Sequence, residues 1–131
     1  MSKYIYFQPN EKDIKDKVGD CVIRALCKAL DKSWLEVFDN LCKHAREFQC
    51  LPNQKPAYEA YLKELGWRYI PAKNKKQKVS EFKSSFDDKD FYILYVRVGY
   101  QTHMVTSDKH NYYDTWDCGN KYIYGYFIKE A

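Results

Sequence analysis

The sequence changes character at Phe91-Tyr92-Ile93-Leu94-Tyr95-Val96-Arg97-Val98, a run of aromatic and β-branched residues that is typical of a buried strand. Three more strands are predicted after it, at about 101–107, 111–116 and 121–128, and polar turns separate them. From this pattern we expect an antiparallel meander that fills residues 91–128.

Before this run, apolar residues recur with the spacing of helices. Helices are predicted from about Asp20 to Leu30, from the N-cap Ser33 to Phe48 or Gln49, and from Pro56 to Leu65, where Gly66 ends the last one. Residues 1–18 are expected to be extended or a loop. The predicted fold is therefore α+β, with N-terminal helices at about 19–66 packed on a C-terminal antiparallel sheet.

Length and composition narrow the class of protein. A chain of 131 residues with 18% aromatic residues is expected to form a single domain, residues 1–131. The excess of basic residues is concentrated in the lysines of residues 73–78, which we interpret as a solvated loop in preference to a nucleic-acid patch. No apolar run is long enough to span a membrane and no signal-peptide pattern is present, so we expect a cytoplasmic protein that does not bind membranes. The mild net charge of +4 disfavours nucleic acid as a partner.

The chain has five cysteines, which are Cys21, Cys27, Cys42, Cys50 and Cys118. Their odd number and irregular spacing predict free thiols in a reducing compartment. None stands in the C-x-x-C spacing of zinc sites, so we expect neither a metal nor another cofactor. Cys118 lies in the predicted turn Asp117-Cys118-Gly119-Asn120, where no chemical role is expected.

One of these thiols opens the first predicted helix. In Val18-Gly19-Asp20-Cys21-Val22, Asp20 is the predicted N-cap and Cys21 falls in the first turn. The helix dipole and the free N–H groups there favour a thiolate and lower the cysteine pKa. The competing interpretation is a buried cysteine that acts only as a small apolar residue.

The predicted hairpin of 101–107 and 111–116 offers partners for this thiol. Its expected pairs are Ser107 with Tyr112, Val105 with Asp114, and His103 with Trp116. Alternation along the strands then puts His103 and Asp114 on one face as diagonal neighbours. An acid bound to one imidazole nitrogen leaves the other nitrogen free to deprotonate a thiol. A histidine satisfied by a backbone carbonyl and an acid at a strand edge are the alternatives.

These segments resemble the papain-like cysteine peptidase superfamily, in which a cysteine opens a central helix and a histidine and an acid follow on later strands. The similar segments are Gly19-Asp20-Cys21-Val22-Ile23-Arg24-Ala25, His103-Met104-Val105 and Tyr113-Asp114-Thr115-Trp116-Asp117. They look most like small bacterial and bacteriophage proteins described as cysteine peptidases. The resemblance spans residues 8–128 and implies a papain-like fold.

The resemblance also implies a role for each residue of the set. Cys21 is the implied nucleophile, His103 the general base and later acid, and Asp114 the carboxylate that orients the imidazole. The implied reaction is hydrolysis of a peptide, isopeptide or other amide bond through a thioester.

The oxyanion hole is the part of the implied site in which this chain departs from the family. Papain-like enzymes often carry a glutamine about six residues before the cysteine as a donor to the oxyanion, and Lys15 stands there in this chain. The Cys21 N–H can supply one donor. The expected side-chain donor is Asn10 or Gln8.

Two functions from different classes follow from the sequence. The first is a cysteine hydrolase that acts on a peptide or protein substrate. The second is a catalytically weak or inactive papain-like protein that binds or inhibits a peptide or protein target, for instance one encoded by a bacteriophage and acting in the host cytoplasm. Nucleic-acid binding through residues 73–78 is a third and least favoured interpretation.

Overall fold

The computed structural model describes residues 1–130 and combines three helices with a six-stranded sheet. The helices are α1 (Cys21–Leu30), α2 (Trp34–Phe48) and α3 (Lys55–Glu64), and a 3-10 turn covers Val79–Glu81. The strands are β1 (Lys3–Tyr6), β2 (Trp67–Pro71), β3 (Tyr92–Val98), β4 (Gln101–Ser107), β5 (Asn111–Asp114) and β6 (Tyr122–Lys129). The predicted α+β class is confirmed, and the three helices and the four strands of the β half lie close to their expected positions.

The sheet has the strand order β1-β5-β4-β3-β6-β2. The expectation of an antiparallel meander confined to the C-terminal half is wrong in three respects. β2, which precedes the predicted meander, joins the sheet beside β6. β1 joins the sheet in parallel with β5, and β6 pairs with β3 instead of continuing the meander beside β5. A local pattern gives strand propensity but no partner. Lys3 pairs with Asn111, far away in sequence, and β1 is mostly exposed, so it shows no apolar alternation.

The packing of α1 on β4 positions the site. Leu26 of α1 and Met104 of β4 share one apolar cluster, whereas Val105 lies in a second cluster on the opposite face of the sheet. Thr106 Oγ1 donates a buried hydrogen bond of 2.6 Å to the Ala25 carbonyl oxygen and ties the helix to the strand. The first turn of α1 is thereby held beside His103 of β4.

The helices differ in burial: α2 and α3 each bury one face, whereas α1 is buried on all sides from Val22 to Cys27. Ser33 Oγ accepts the Glu36 N–H at 3.2 Å, which confirms the predicted N-cap of α2. Within residues 1–130, no helix combines the length and the apolar character needed to cross a membrane.

Candidate active site

Cys21 is the first residue of α1 and its side chain is half-buried. A first helical residue has no intrahelical acceptor for its N–H, so this group and the positive end of the helix dipole face the space beyond the helix. That space is a cleft of ≈ 290 Å³, and its wall also includes His103 and Met104. Residues near the start of α3, among them Gln54 and Tyr58, and Tyr95 of β3 also line it.

The hairpin of β4 and β5 brings the other two predicted residues together. Its register pairs Ser107 with Tyr112, as expected from the sequence. β5 ends at Asp114, however, so the expected strand pair of His103 with Trp116 is wrong. His103 Nε2 lies 2.5 Å from Asp114 Oδ2, and both side chains are buried. Because Nε2 is engaged by the carboxylate, Nδ1 is the nitrogen left for the Cys21 thiol.

A buried arginine connects α1 to the end of β5. Arg24 Nε donates to Asp114 Oδ1 at 3.1 Å, Nη2 lies 2.9 Å from the same oxygen, and Nη1 lies 2.8 Å from Asp20 Oδ1. Trp34 Nε1 and Asn10 Nδ2 donate to the second oxygen of Asp20. Asp20 stands at the N-cap position, but its carboxylate accepts no helix N–H. The predicted side-chain cap is therefore wrong, because charge-assisted partners occupy this carboxylate.

The groups around the thiol favour a thiolate beside an imidazolium. Burial raises the pKa of Cys21, but the hydrogen bond and charge of His103, a backbone hydrogen bond and the charge of Arg24 bring that pKa below its ordinary value. Burial lowers the pKa of His103, whereas its hydrogen bonds, above all that to Asp114, raise it further than burial lowers it. Burial raises the pKa of Asp114, and the contacts with His103 and Arg24 bring it below its usual range.

Cys27 and Cys42 have a raised thiol pKa, in contrast to Cys21. Burial raises the pKa of the Cys27 thiol to about 12, and burial also raises the pKa of Cys42. Neither residue lines the cleft. Within this chain, lowered thiol pKa and access to a cleft are combined at Cys21.

The predicted oxyanion donors Gln8 and Asn10 do not line the cleft. The Gln8 amide nitrogen donates to Asp16 Oδ1 at 2.9 Å and to Asp13 Oδ2 at 3.4 Å. The Asn10 amide nitrogen donates to Asp20 at 3.5 Å. Both amide groups are therefore engaged by carboxylates outside the cleft.

Two amide side chains that the sequence did not point to line the cleft instead. They are Asn53 and Gln54, just before α3. Gln54 Oε1 accepts the Leu51 N–H at 2.9 Å, which holds the amide and leaves its Nε2 as a donor. No local pattern marks these residues, because packing between helices brings the start of α3 to the cleft.

Cys118 lies against the carboxylate of Asp114. The thiol is fully buried, and Sγ donates to Asp114 Oδ2 at 3.4 Å. Burial raises the pKa of this thiol, so it carries a proton that the carboxylate can accept as a hydrogen bond. The expectation that Cys118 is an incidental turn residue is incomplete, because its side chain points into the site.

Trp116 covers the histidine, and its indole ring is tilted by 48° with its centroid 5.1 Å from that of the His103 ring. The indole is partly exposed, so it lies between the imidazole and solvent. A cover of this kind limits the access of water to the bond between His103 and Asp114 and strengthens it.

Comparison with known proteins gives no family for this chain. No protein-family model, curated protein or solved structure matches it. Function is consequently inferred from the side chains that meet at the cleft and from their charges.

Proposed function

We propose that this protein is a cysteine hydrolase that cleaves a peptide, isopeptide or other amide bond. The observation that carries this proposal is the shared cleft of Cys21 and His103, with the far nitrogen of the imidazole 2.5 Å from buried Asp114. A thiol at a helix start facing a histidine and an acid on neighbouring strands, in the chain order Cys, His, Asp, also supports a papain-like fold.

The reaction begins with the Cys21 thiolate, which attacks the carbonyl carbon and forms a C–S bond while the carbonyl electrons move to oxygen. The Cys21 N–H at the end of α1 donates to the developing oxyanion. Collapse of this intermediate expels the amine, which takes the Nδ1 proton of His103, and a thioester is left on Cys21. Neutral His103 then removes a proton from a water molecule that attacks the thioester, and the acid leaves as the thiolate and imidazolium form again.

Asp114 acts on the imidazole and not on the substrate. Its Oδ2 holds the Nε2–H of His103, which fixes the ring with Nδ1 towards the thiol and stabilises the imidazolium. Arg24 occupies Oδ1 and keeps the carboxylate from turning away. Each oxygen of the buried Asp114 carboxylate therefore has a charged partner.

The size of the cleft and the state of the cysteines suggest the kind of substrate and the compartment. A cleft of ≈ 290 Å³ suits a short extended segment of a peptide or protein. Five free thiols fit a reducing compartment, and we place the protein in the cytoplasm, which is the host cytoplasm if a bacteriophage encodes it.

A second function, binding or inhibition of a protein target by a papain-like fold with little turnover, is favoured by one observation. The amides of Gln8 and Asn10 are bound to acids outside the cleft, so neither stands where an oxyanion forms. Loss of one oxyanion donor costs about 10²–10³ in rate. The same thiol and histidine could then persist in a protein that acts by association.

Selective alkylation tests the hydrolase proposal. The purified chain is treated with iodoacetamide near pH 6.5, and the modification rate of each cysteine is followed by peptide mass spectrometry. We expect Cys21 to react at least about tenfold faster than Cys42, because a thiolate is the reactive form. In His103→Ala, the Cys21 rate should fall to that of Cys42. Equal rates at the two cysteines of the unmodified sequence would contradict the proposal.

Acylation by p-nitrophenyl acetate separates the two functions. A hydrolase forms a thioester at Cys21, seen as a mass increase on that residue and a burst of nitrophenol, and then releases acetate. Cys21→Ala is the matched control and should give no burst. A protein with fast alkylation of Cys21 but no thioester would be the binding protein and not the hydrolase.

A further inference from the structure

A buried cluster of metal-binding atoms shares two residues with the proposed triad. His103, Asp114 and Cys118 each offer one ligand atom, and these three atoms lie within 4.8 Å of one another. Asp114 Oδ2 is 2.5 Å from His103 Nε2 and 3.4 Å from Cys118 Sγ. Hydrolysis as described above gives the Cys118 thiol no task.

We propose that His103, Asp114 and Cys118 form a zinc(II) site whose occupation switches off Cys21, a form of regulation that rests on the proposed function. An imidazole nitrogen, a carboxylate oxygen and a thiolate sulfur are the ligands that zinc prefers. Calcium and magnesium prefer sets of oxygen atoms, so this mixed set selects against them. A water molecule completes the fourth position.

Arg24 orients the Asp114 carboxylate for binding zinc. Arg24 contacts only Oδ1 of Asp114, at 3.1 and 2.9 Å, so Oδ2 is turned towards both His103 and Cys118. A metal ligand whose second oxygen is fixed by a hydrogen-bond donor is held in its coordinating orientation.

The charges of the cluster balance with zinc present. Asp20 and Asp114 carry two negative charges and Arg24, which contacts both, carries one positive charge. Without zinc, the positive charge of the His103 imidazolium brings the sum to zero. With zinc bound, His103 is neutral, and the Cys118 thiolate and zinc(II) together bring the sum to zero again, so the exchange leaves the net charge of the cluster unchanged. A buried site with no net charge avoids the free energy that an uncompensated ion costs away from water.

Binding is an exchange of protons for the metal. The Nε2–H proton of His103 and the thiol proton of Cys118 leave to solvent, and three metal–ligand bonds form without any change in oxidation state. Bonds of about 2.0 Å to nitrogen and oxygen in a tetrahedral site put these two atoms about 3.3 Å apart. The His103 ring therefore moves away from Asp114 by under about 1 Å, into a position beside the open cleft.

Zinc at Nε2 acts on Cys21 through the imidazole. A metal-bound imidazole keeps its Nδ1–H but is no longer an imidazolium, so the Cys21 thiolate loses the adjacent charge that stabilises it. The same ring can no longer take part in the proton transfers of the proposed reaction. Zinc thus inhibits without binding to the nucleophile.

Cobalt(II) binding locates the site independently of activity. The metal-free full-length chain carrying Cys42→Ser and Cys50→Ser is titrated with Co²⁺, and the thiolate-to-cobalt band in the near ultraviolet is recorded. We expect the band to appear, to persist in Cys21→Ala, to vanish in Cys118→Ala, and to be displaced by Zn²⁺. Cys118→Ser, which keeps the side-chain volume, replaces Cys118→Ala if circular dichroism shows that variant unfolded. A band lost in Cys21→Ala and kept in the Cys118 variant, or no band at all, would overturn the site.

Alkylation tests the regulation. The rate at which iodoacetamide modifies Cys21 is measured without and with one equivalent of Zn²⁺. The ratio of the two rates is compared between the parent, which is the chain carrying Cys42→Ser and Cys50→Ser, and the same chain with the Cys118 substitution. We expect a slowing of about tenfold or more in the parent only. Equal slowing in the parent and in the Cys118 variant would show that zinc binds Cys21 itself, and would contradict the proposal. A failure of ester hydrolysis would leave the cobalt result intact, so the two proposals fail separately.

Discussion

Arg24 and Asp114 form a buried ion pair in which the arginine Nε donates to Oδ1 and Nη2 lies 2.9 Å from the same oxygen. The pair joins the helix that carries the thiol to the strand that carries the acid. Because the second carboxylate oxygen contacts His103, the orientation of the imidazole depends on a residue of α1 that lies one turn after Cys21. Stability and reactivity are therefore coupled through this arginine.

Replacing Arg24 by leucine should destabilise the fold by about 3–5 kcal/mol, because two buried carboxylates, Asp20 and Asp114, lose their shared counter-charge. Urea unfolding followed by circular dichroism measures the change. Arg46→Leu, on the exposed side of α2, is the matched control and should change the free energy of unfolding by under about 0.5 kcal/mol. Equal effects of the two substitutions would show that the buried pair is not a stabilising connection.

The pH dependence of alkylation should distinguish Cys21 from Cys42. A thiol whose pKa is lowered keeps its thiolate to lower pH, so the Cys21 rate should fall only as pH drops through a value below the ordinary ~8.5. The pKa of Cys42 is raised, so its rate should rise only above that value. Rates from pH 5 to 9 give both midpoints, and His103→Ala should move the Cys21 midpoint upward. Coincident midpoints for Cys21 and Cys42 in the unmodified chain would contradict a Cys21 thiolate stabilised by the His103 imidazolium.

Asp114→Asn should slow alkylation of Cys21 near pH 7 by at least about tenfold, since a shift of one pKa unit changes the thiolate fraction by that factor. The amide keeps the size of the side chain but removes the charge that raises the His103 pKa. Asp117→Asn, which alters an acid bound by the Tyr112 hydroxyl a few residues away, is the control and should leave the rate unchanged. Circular dichroism spectra of both variants check that folding is retained.

Gln54 is the amide that the structure brings to the cleft, so Gln54→Ala should slow acylation by p-nitrophenyl acetate by about 10²–10³. Gln8→Ala should have no effect on the burst, because its amide is bound to Asp16. Stopped-flow absorbance measures the burst rate in each variant. A slower burst in Gln8→Ala together with an unchanged burst in Gln54→Ala would show that Gln8 is the oxyanion donor.

The local sequence was informative where short-range physics determines the outcome. Helical periodicity and the Ser33 cap located the helices, and strand alternation with a short turn gave the hairpin register. Because that register follows from the turn alone, the contact between His103 and Asp114 could be predicted before any tertiary packing was known.

Relationships across the chain were not accessible in the same way. The parallel pairing of β1 with β5, the Arg24 bridge and the approach of Gln54 and Cys118 to the site all join segments that are separate in sequence or turned by a loop. Such contacts depend on how α1 packs on the sheet and on which buried charge finds which partner. Periodicity in the sequence indicates which face of a helix or strand is buried. The partners of buried polar groups depend on three-dimensional packing, because each buried group must form hydrogen bonds with the groups that the fold brings near it.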